Sequence, residues 1–208
     1  MVQAKNAEEF IALARKAIAS NPDCGASHYN LAVALIGQKR YEEAEQSLKD
    51  AIHCSPNLAE AYVLLGGLCL NRGDLEGCLK YNKDAINSRA GFAEGHGNIG
   101  FVYLQQGKIE DAIYHLEKAI RWNQKFLQAY ANLANAYLMN DQVDESIETN
   151  LKVLELEPNF PVAHNNLAIA YLEKGLHDMA ARHCDKAREL GYEVAENIVK
   201  EIERYRQG

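Results

Sequence analysis

The chain has 208 residues, 48% hydrophobic and 25% charged, a composition that excludes the disordered and fibrous classes and a length that supports a core without disulfides or metal. Its formal net charge of -7 and pI near 5.5 argue against a nucleic-acid partner, because phosphate contacts demand clustered Lys and Arg. The longest uncharged, strongly hydrophobic stretch, Ala61 to Leu70, is about half the ~20 residues of a membrane-spanning helix, so no membrane insertion is expected.

Met1 to Asn6 run directly into Glu8-Glu9 without the charged start and apolar run of a secretory signal. Cys24, Cys54, Cys69, Cys78 and Cys184 form no C-x-x-C pair and are odd in number, which fits reduced thiols and a cytoplasmic location. The first predicted element is a helix over Ala7 to Asn21, with Phe10, Ile11, Ala14, Ala17 and Ile18 on one side and Pro22 ending it.

From there one self-offset dominates, 34 residues, read from Leu31, Leu65, Ile99, Leu133 and Leu167. Each is followed by a small residue (Ala32, Gly66, Gly100, Ala134, Ala168) and, four residues on, by Leu35, Cys69, Tyr103, Tyr137 or Tyr171, which completes one face of a first helix, A. Gly73, Gly107 and Gly175 then mark a turn, with Lys39 and Asp141 in the other two copies. A second helix, B, carries Ala44, Cys78, Ala112, Ser146 and Ala180, then Ala51, Ala85, Ala119, Val153 and Ala187, small residues that let two backbones approach. Pro56 and Pro158 close two B helices, where Ala90, Gln124 and Tyr192 stand in the others. After the last repeat, Val194, Ile198, Ile202 and Tyr205 form an apolar stripe opposed by Glu196, Lys200, Glu203 and Arg204, the pattern of a terminal capping helix.

This set of residues at this period resembles the tetratricopeptide repeat (TPR) family over nearly the whole chain. The resemblance implies an all-α, right-handed solenoid of helix-turn-helix repeats. Residues 1–208 then form a single array, with a half-repeat helix at 7–24, repeats at 25–58, 59–92, 93–126, 127–160 and 161–192, and a capping helix at 193–206. No unit buries its apolar face alone, so stability is roughly nearest-neighbour. Repeat two is expected to be the softest in hydrogen exchange, because Gly66, Gly67 and Gly77 lie inside its helices.

In the family the A helices line an inner, concave face. Just before each Leu or Ile of the core stand Asn30, Leu64, Asn98, Asn132 and Asn166, with Asn135 and Asn165 close by in the helical count. The row resembles the asparagine ladder in the TPR superhelix of O-linked N-acetylglucosamine transferase, where amides can bond the backbone of an extended peptide. The other reading is that these amides bond neighbouring helices. Around them lie Tyr29, Val33, Val63, Phe101, Ala131 and Ile169, and a row of Ile36, Leu70, Leu104, Leu138 and Leu172 reads either as groove lining or as packing against the next repeat. Glu60 and Glu94 give the groove a modest negative character that favours a partner with some Lys or Arg.

The partner expected is another protein or a peptide, held by a groove that is richest in amides toward the C-terminal repeats. Homo-oligomerisation or incorporation in a larger complex is the alternative. A clamp for a chaperone's C-terminal carboxylate is not expected: Tyr29, Val33, Leu64, Glu94 and Asn98 stand where the family's clamps place Lys, Arg and Asn. His28, His96 and His164 share one repeat position and read as packing residues, and His177, His183 and Cys184 lack the spacing of a metal site. Cys69 and Cys78 read as a close, inert core pair, and Trp122 as a packed loop residue, with a surface anchor as the alternative. No nucleophile, phosphate-loop or zinc-protease motif occurs, so neither enzymatic activity nor a cofactor is expected.

Overall fold

The computed structural model describes residues 7–206. Met1 to Asn6, on which the reading of a missing secretory signal rests, lie outside them, as do Gln207 and Gly208. Among the described residues the chain forms twelve helices and no strand: α1 (Ala7–Ser20), α2 (Gly25–Gly37), α3 (Tyr41–Cys54), α4 (Ala59–Asn71), α5 (Leu75–Ser88), α6 (Ala93–Gln105), α7 (Ile109–Trp122), α8 (Leu127–Met139), α9 (Val143–Leu156), α10 (Pro161–Glu173), α11 (His177–Glu189) and α12 (Glu196–Arg206). The A helices α2, α4, α6, α8 and α10 thus begin 34 residues apart, at Gly25, Ala59, Ala93, Leu127 and Pro161. The backbone divides into two compact units, Met1–Val102 and Tyr103–Gly208, with the division inside α6.

The repeat positions are the core. Leu65, Ile99 and Leu167 are fully buried, as are the small B-helix residues Ala44, Ala51, Ala85, Ala112, Ala119, Ala180 and Ala187. A methyl-sized side chain at these points brings an A helix and a B helix into direct contact, which is why the sequence keeps them small. In the first unit, Ile11 and Ala14 of α1 join Leu31, Leu35 and Leu48 in one cluster, so the half-repeat caps α2 and α3. In the second, Leu104, Leu116 and Leu133 form one cluster. Another joins Leu167, Tyr171 and Cys184 to Val194 and Ile202, and it seats α12 on the last hairpin. Arg206 ties α12 down further by an ion pair with Asp185 and a bond to the Ala181 carbonyl. Tyr205 leaves the expected apolar stripe: it is half-exposed and stacks on His177 at 3.4 Å between ring centroids.

The turn between A and B is the same in all five copies. Gly73, Gly107 and Gly175 have φ of 80°, 70° and 70°, and Lys39 and Asp141 adopt the same left-handed backbone at 59° and 56°. The amide of the next residue reaches back to the helix each time, as in Arg40 N to Leu35 O (2.9 Å) and Gln142 N to Tyr137 O (2.9 Å). A side chain in this region costs roughly 1–2 kcal/mol, and glycine returns roughly 0.5–1 kcal/mol of that in chain entropy. Lys39→Gly and Asp141→Gly should therefore each raise stability by about 0.5–1 kcal/mol in urea unfolding. An unchanged midpoint would show that the turn is not strained.

The glycines of repeat two are not equivalent. A Cβ on Gly66 would run into the side-chain amide of Asn82, and one on Gly77 would lie 2.8 Å from the Cys69 sulfur, whereas Gly67 faces open space. Gly67→Ala is expected to stabilise by about 0.5–1 kcal/mol through helix propensity alone, and Gly66→Ala to destabilise. Thermal denaturation of the two variants side by side checks this, and matching signs would contradict it.

Candidate peptide-binding surface

In the first unit α2 presents Asn30 in the open and Val33 at 44% exposure, with Tyr29 half-buried beside them. The Tyr29 hydroxyl is pushed up from its ordinary pKa by burial and then by the Glu60 charge. Val63 and Leu64 of α4 and Asn98 and Phe101 of α6 are half-buried. The aromatic ring of Phe101 packs on Cys69, Cys78 and Val102. Glu60 is not a free charge, because Arg89 Nη1 pairs with it at 2.6 Å while the guanidinium lies 4.0 Å over the Phe92 ring. Glu94 stays exposed.

Asn98 is already engaged. Its Nδ2 donates to Asn82 Oδ1 at 3.0 Å, and Asn82, fully buried on α5, donates in turn to the Cys78 carbonyl at 2.9 Å. One amide hydrogen of Asn98 and its carbonyl are left for other use. Both readings of the row therefore meet in a single side chain.

In the second unit the row changes character. Asn132 is half-buried and accepts from Gln128 Nε2 at 3.1 Å, and Asn135 is exposed, its amide 3.9 Å from the Met139 sulfur. Asn165 and Asn166 are buried at 8% and 7% exposure, and Asn166 Nδ2 donates to the Ala131 carbonyl of α8 at 3.3 Å. The expectation that the accessible amides grow denser toward the C-terminal repeats is thus corrected: packing of α10 against α8 and α9 consumes two of them.

Asn82 and Asn150 escaped the sequence reading. Both occupy a B-helix position that is Leu48 and Leu116 in sister repeats, and both are fully buried. A signal was present, since Leu48 with Leu64, Asn82 with Asn98 and Asn150 with Asn166 are matched pairs sixteen residues apart. Leu116 with Asn132 is the mismatch. Asn150 donates to Ser146 O at 3.0 Å, but its Oδ1 is buried with no partner.

The histidines pack, and in a specific way. His28 Nε2 bonds the Pro22 carbonyl at 2.8 Å and His164 Nε2 the Pro158 carbonyl at 3.1 Å, so each clips the start of an A helix to the proline that stopped the preceding B helix. A carbonyl only accepts, so His164 carries its hydrogen on Nε2 and receives one at Nδ1 from His183 Nδ1, 2.9 Å away. Burial and then His164 push the His183 pKa down to about 4. Among the described residues no group of three or more His, Cys, Asp or Glu is placed to hold a metal. Trp122 is not packed as expected but 59% exposed at the end of α7, where Tyr114, Lys118 and Trp122 follow at one-turn intervals.

Tetratricopeptide-repeat family models match residues 9–59, 100–141, 127–160 and 149–182. The chain belongs to the tetratricopeptide repeat family. Solved structures superpose on it over most of its length. YrrB, described as a TPR protein with an unusual peptide-binding site, is 18% identical with a TM-score of 0.71, over 94% of this chain and 98% of that one. The pilF protein of Pseudomonas aeruginosa is 17% identical with a TM-score of 0.80, over 97% and 90%. MamA from Desulfovibrio magneticus RS-1 is 24% identical with a TM-score of 0.70, over 81% and 96%. At these identities the likeness is one of fold. No curated protein matches in sequence. No helix among the described residues is long and apolar enough to cross a membrane.

Proposed function

We propose that this TPR protein is an interaction scaffold that holds an extended, largely apolar peptide segment of another protein on the A-helix side of its first unit. The observation that carries the reading is the exposure of Asn30 and Val33 on α2, beside the half-buried Tyr29. Aliphatic and aromatic surface left in water next to amides with spare donors and acceptors suits a backbone that brings its own unpaired groups. The single array over residues 1–208 belongs to the same proposal, as does a cytoplasmic location. Since the Glu60 charge is paired, the ligand needs no strong positive charge.

A peptide library displayed on phage and selected on the purified protein supplies the test. Asn30→Ala and Val33→Glu, both at exposed sites, should each weaken a selected peptide about tenfold or more without changing the melting temperature. Failure to select any peptide, or unchanged affinity in both variants, would remove the groove mechanism.

A second reading, assembly through the B-helix side of the second unit, is favoured by Trp122 and Tyr114, exposed at 59% and 53% on α7. An exposed aromatic pair beside Lys118 and Arg121 has the make-up of an interface anchor. Light scattering over a range of concentrations separates the two: a strict monomer would leave self-association without support.

A further inference from the structure

The unusual residues of repeat two are not scattered. Cys69 replaces the Leu or Tyr of sister repeats, Cys78 replaces an alanine or serine, Asn82 stands where repeats one and three have leucine and repeat four has Asn150, and Gly77 stands where a Cβ would meet the Asp74 carboxylate and, at 2.8 Å, the Cys69 sulfur. All four meet at the hairpin between α4 and α5, where Cys69 and Cys78 pack in one buried cluster. The turn beside them is polar: Arg72 Nη2 donates to Cys69 Sγ at 3.2 Å, Asp74 accepts the thiol hydrogen, and Arg72 also pairs with Glu45 at 2.7 Å. A buried thiol with no chemistry to do has no need of a guanidinium on its sulfur.

We propose that Cys69 and Cys78 are a redox-sensitive pair that closes to a disulfide on exposure to a hydroperoxide. Burial raises the pKa of both thiols, that of Cys78 to about 11, with Asn82 opposing the rise at Cys78 and Arg72 at Cys69; the guanidinium 3.2 Å from the Cys69 sulfur, on the exposed turn, makes Cys69 the attacking sulfur. The Cys69 thiolate takes an oxygen from the peroxide, the O–O bond breaks, and the departing hydroxide leaves as water, with Cys69 now a sulfenic acid. The Cys78 sulfur, losing its proton, then displaces the sulfenic hydroxyl as a second water and forms the S–S bond. Two thiols are oxidised and one peroxide is reduced to two waters. Arg72, half-exposed over Cys69, is the side chain that must move aside for entry.

The bond would reach the peptide-binding surface through hydrogen bonds already in place. Asn82 Nδ2 bonds both the carbonyl of Cys78 (2.9 Å) and its sulfur (3.5 Å), and Asn82 Oδ1 holds Asn98 (3.0 Å). Drawing Cys78 toward Cys69 pulls on the residue that orients Asn98. This consequence rests on the surface proposed above; the thiol chemistry does not.

The whole protein, treated with hydrogen peroxide and then alkylated in denaturant, tests it. The five alkylatable thiols should fall to three, with digestion yielding the peptides of Cys69 and Cys78 linked to each other. Cys78→Ala restores the residue found at Ala44, Ala112 and Ala180 and should fold, and with no resolving thiol it should form no link and hold Cys69 as the sulfenic acid, captured by dimedone. In the oxidised wild type, amide exchange over Cys78 to Asn82 should shift about tenfold while α2 is unchanged. Five thiols still open to alkylation would overturn the proposal. So would sulfinic acid at Cys69 without a link, or a link between Cys24 and Cys54 in its place.

Discussion

Lowering the pH from 7 to 4 should remove about 1–2 kcal/mol of stability from the second unit through His183, whose ring is partly open to solvent screening. In the unfolded chain the ring titrates near 6.5, whereas in the folded protein burial and then His164 hold its pKa at about 4. The folded state thus refuses a proton that the unfolded state accepts. The stabilisation is complete above pH 6.5, declines as the unfolded chain takes up its proton, and is gone near pH 4. Burial of the ring is the larger cause, and His164, whose Nδ1 lies 2.9 Å from the His183 Nδ1, is the second. The Pro158 carbonyl occupies the other nitrogen of His164. The Tyr171 ring lies 5.5 Å from His183. His183→Asn keeps a donor near the same place and does not titrate. Urea midpoints of the two proteins should diverge between pH 7 and pH 4, and parallel curves would sink the assignment. Carboxylates held low by their partners, such as Glu43 beside Arg40, lose their contribution only as pH falls toward and below the ordinary carboxylate range, and they do so equally in both proteins.

The second expected result is a reversal of sign between two identical substitutions. Asn150→Leu should stabilise by about 1–3 kcal/mol, and Asn82→Leu should destabilise by a similar amount. Both amides are fully buried at a position filled by leucine in sister repeats. The Asn150 carbonyl oxygen is buried without a partner, so leucine removes an uncompensated polar atom and adds apolar contact. The Asn82 oxygen holds Asn98, and its amide nitrogen fills the space that Gly66 leaves open. Leucine there strands the Asn98 donor and overfills the gap. Chemical denaturation of the two variants settles the matter, and equal signs would mean that hydrogen bonding at this position is irrelevant to stability. Asn82→Leu combined with Asn98→Leu copies the Leu48 and Leu64 pair and should recover part of the loss.

Most of the architecture was legible because it is periodic. A 34-residue phase places Leu31 and its equivalents without reference to anything distant, and even Lys39 and Asp141 revealed their left-handed turns by standing where glycine stands elsewhere. The surface was harder to read because accessibility depends on neighbours outside the repeat. Asn30 and Asn166 occupy the same repeat position, yet one is exposed and the other is buried between α10 and α8. Glu60 looked like a bare charge until Arg89, 29 residues on, came within 2.6 Å. Trp122 was misread for the converse reason, since nothing in its own segment says that no element covers it. The amide pair of Asn82 with Asn98 lay in plain view at a sixteen-residue offset, as did the matching residue types Asn150 and Asn166, hidden by the stronger 34-residue signal.

The recurrent turn has a consequence for synthesis. Each A–B hairpin is closed by its own left-handed residue and its own back-reaching amide, as at Gly73 with Asp74 N to Cys69 O at 2.9 Å. Contacts of this kind link residues close together in sequence, the condition for rapid folding. A ribosome making the chain therefore delivers one closed A–B turn about every 34 residues, each formed from contacts local to its own repeat.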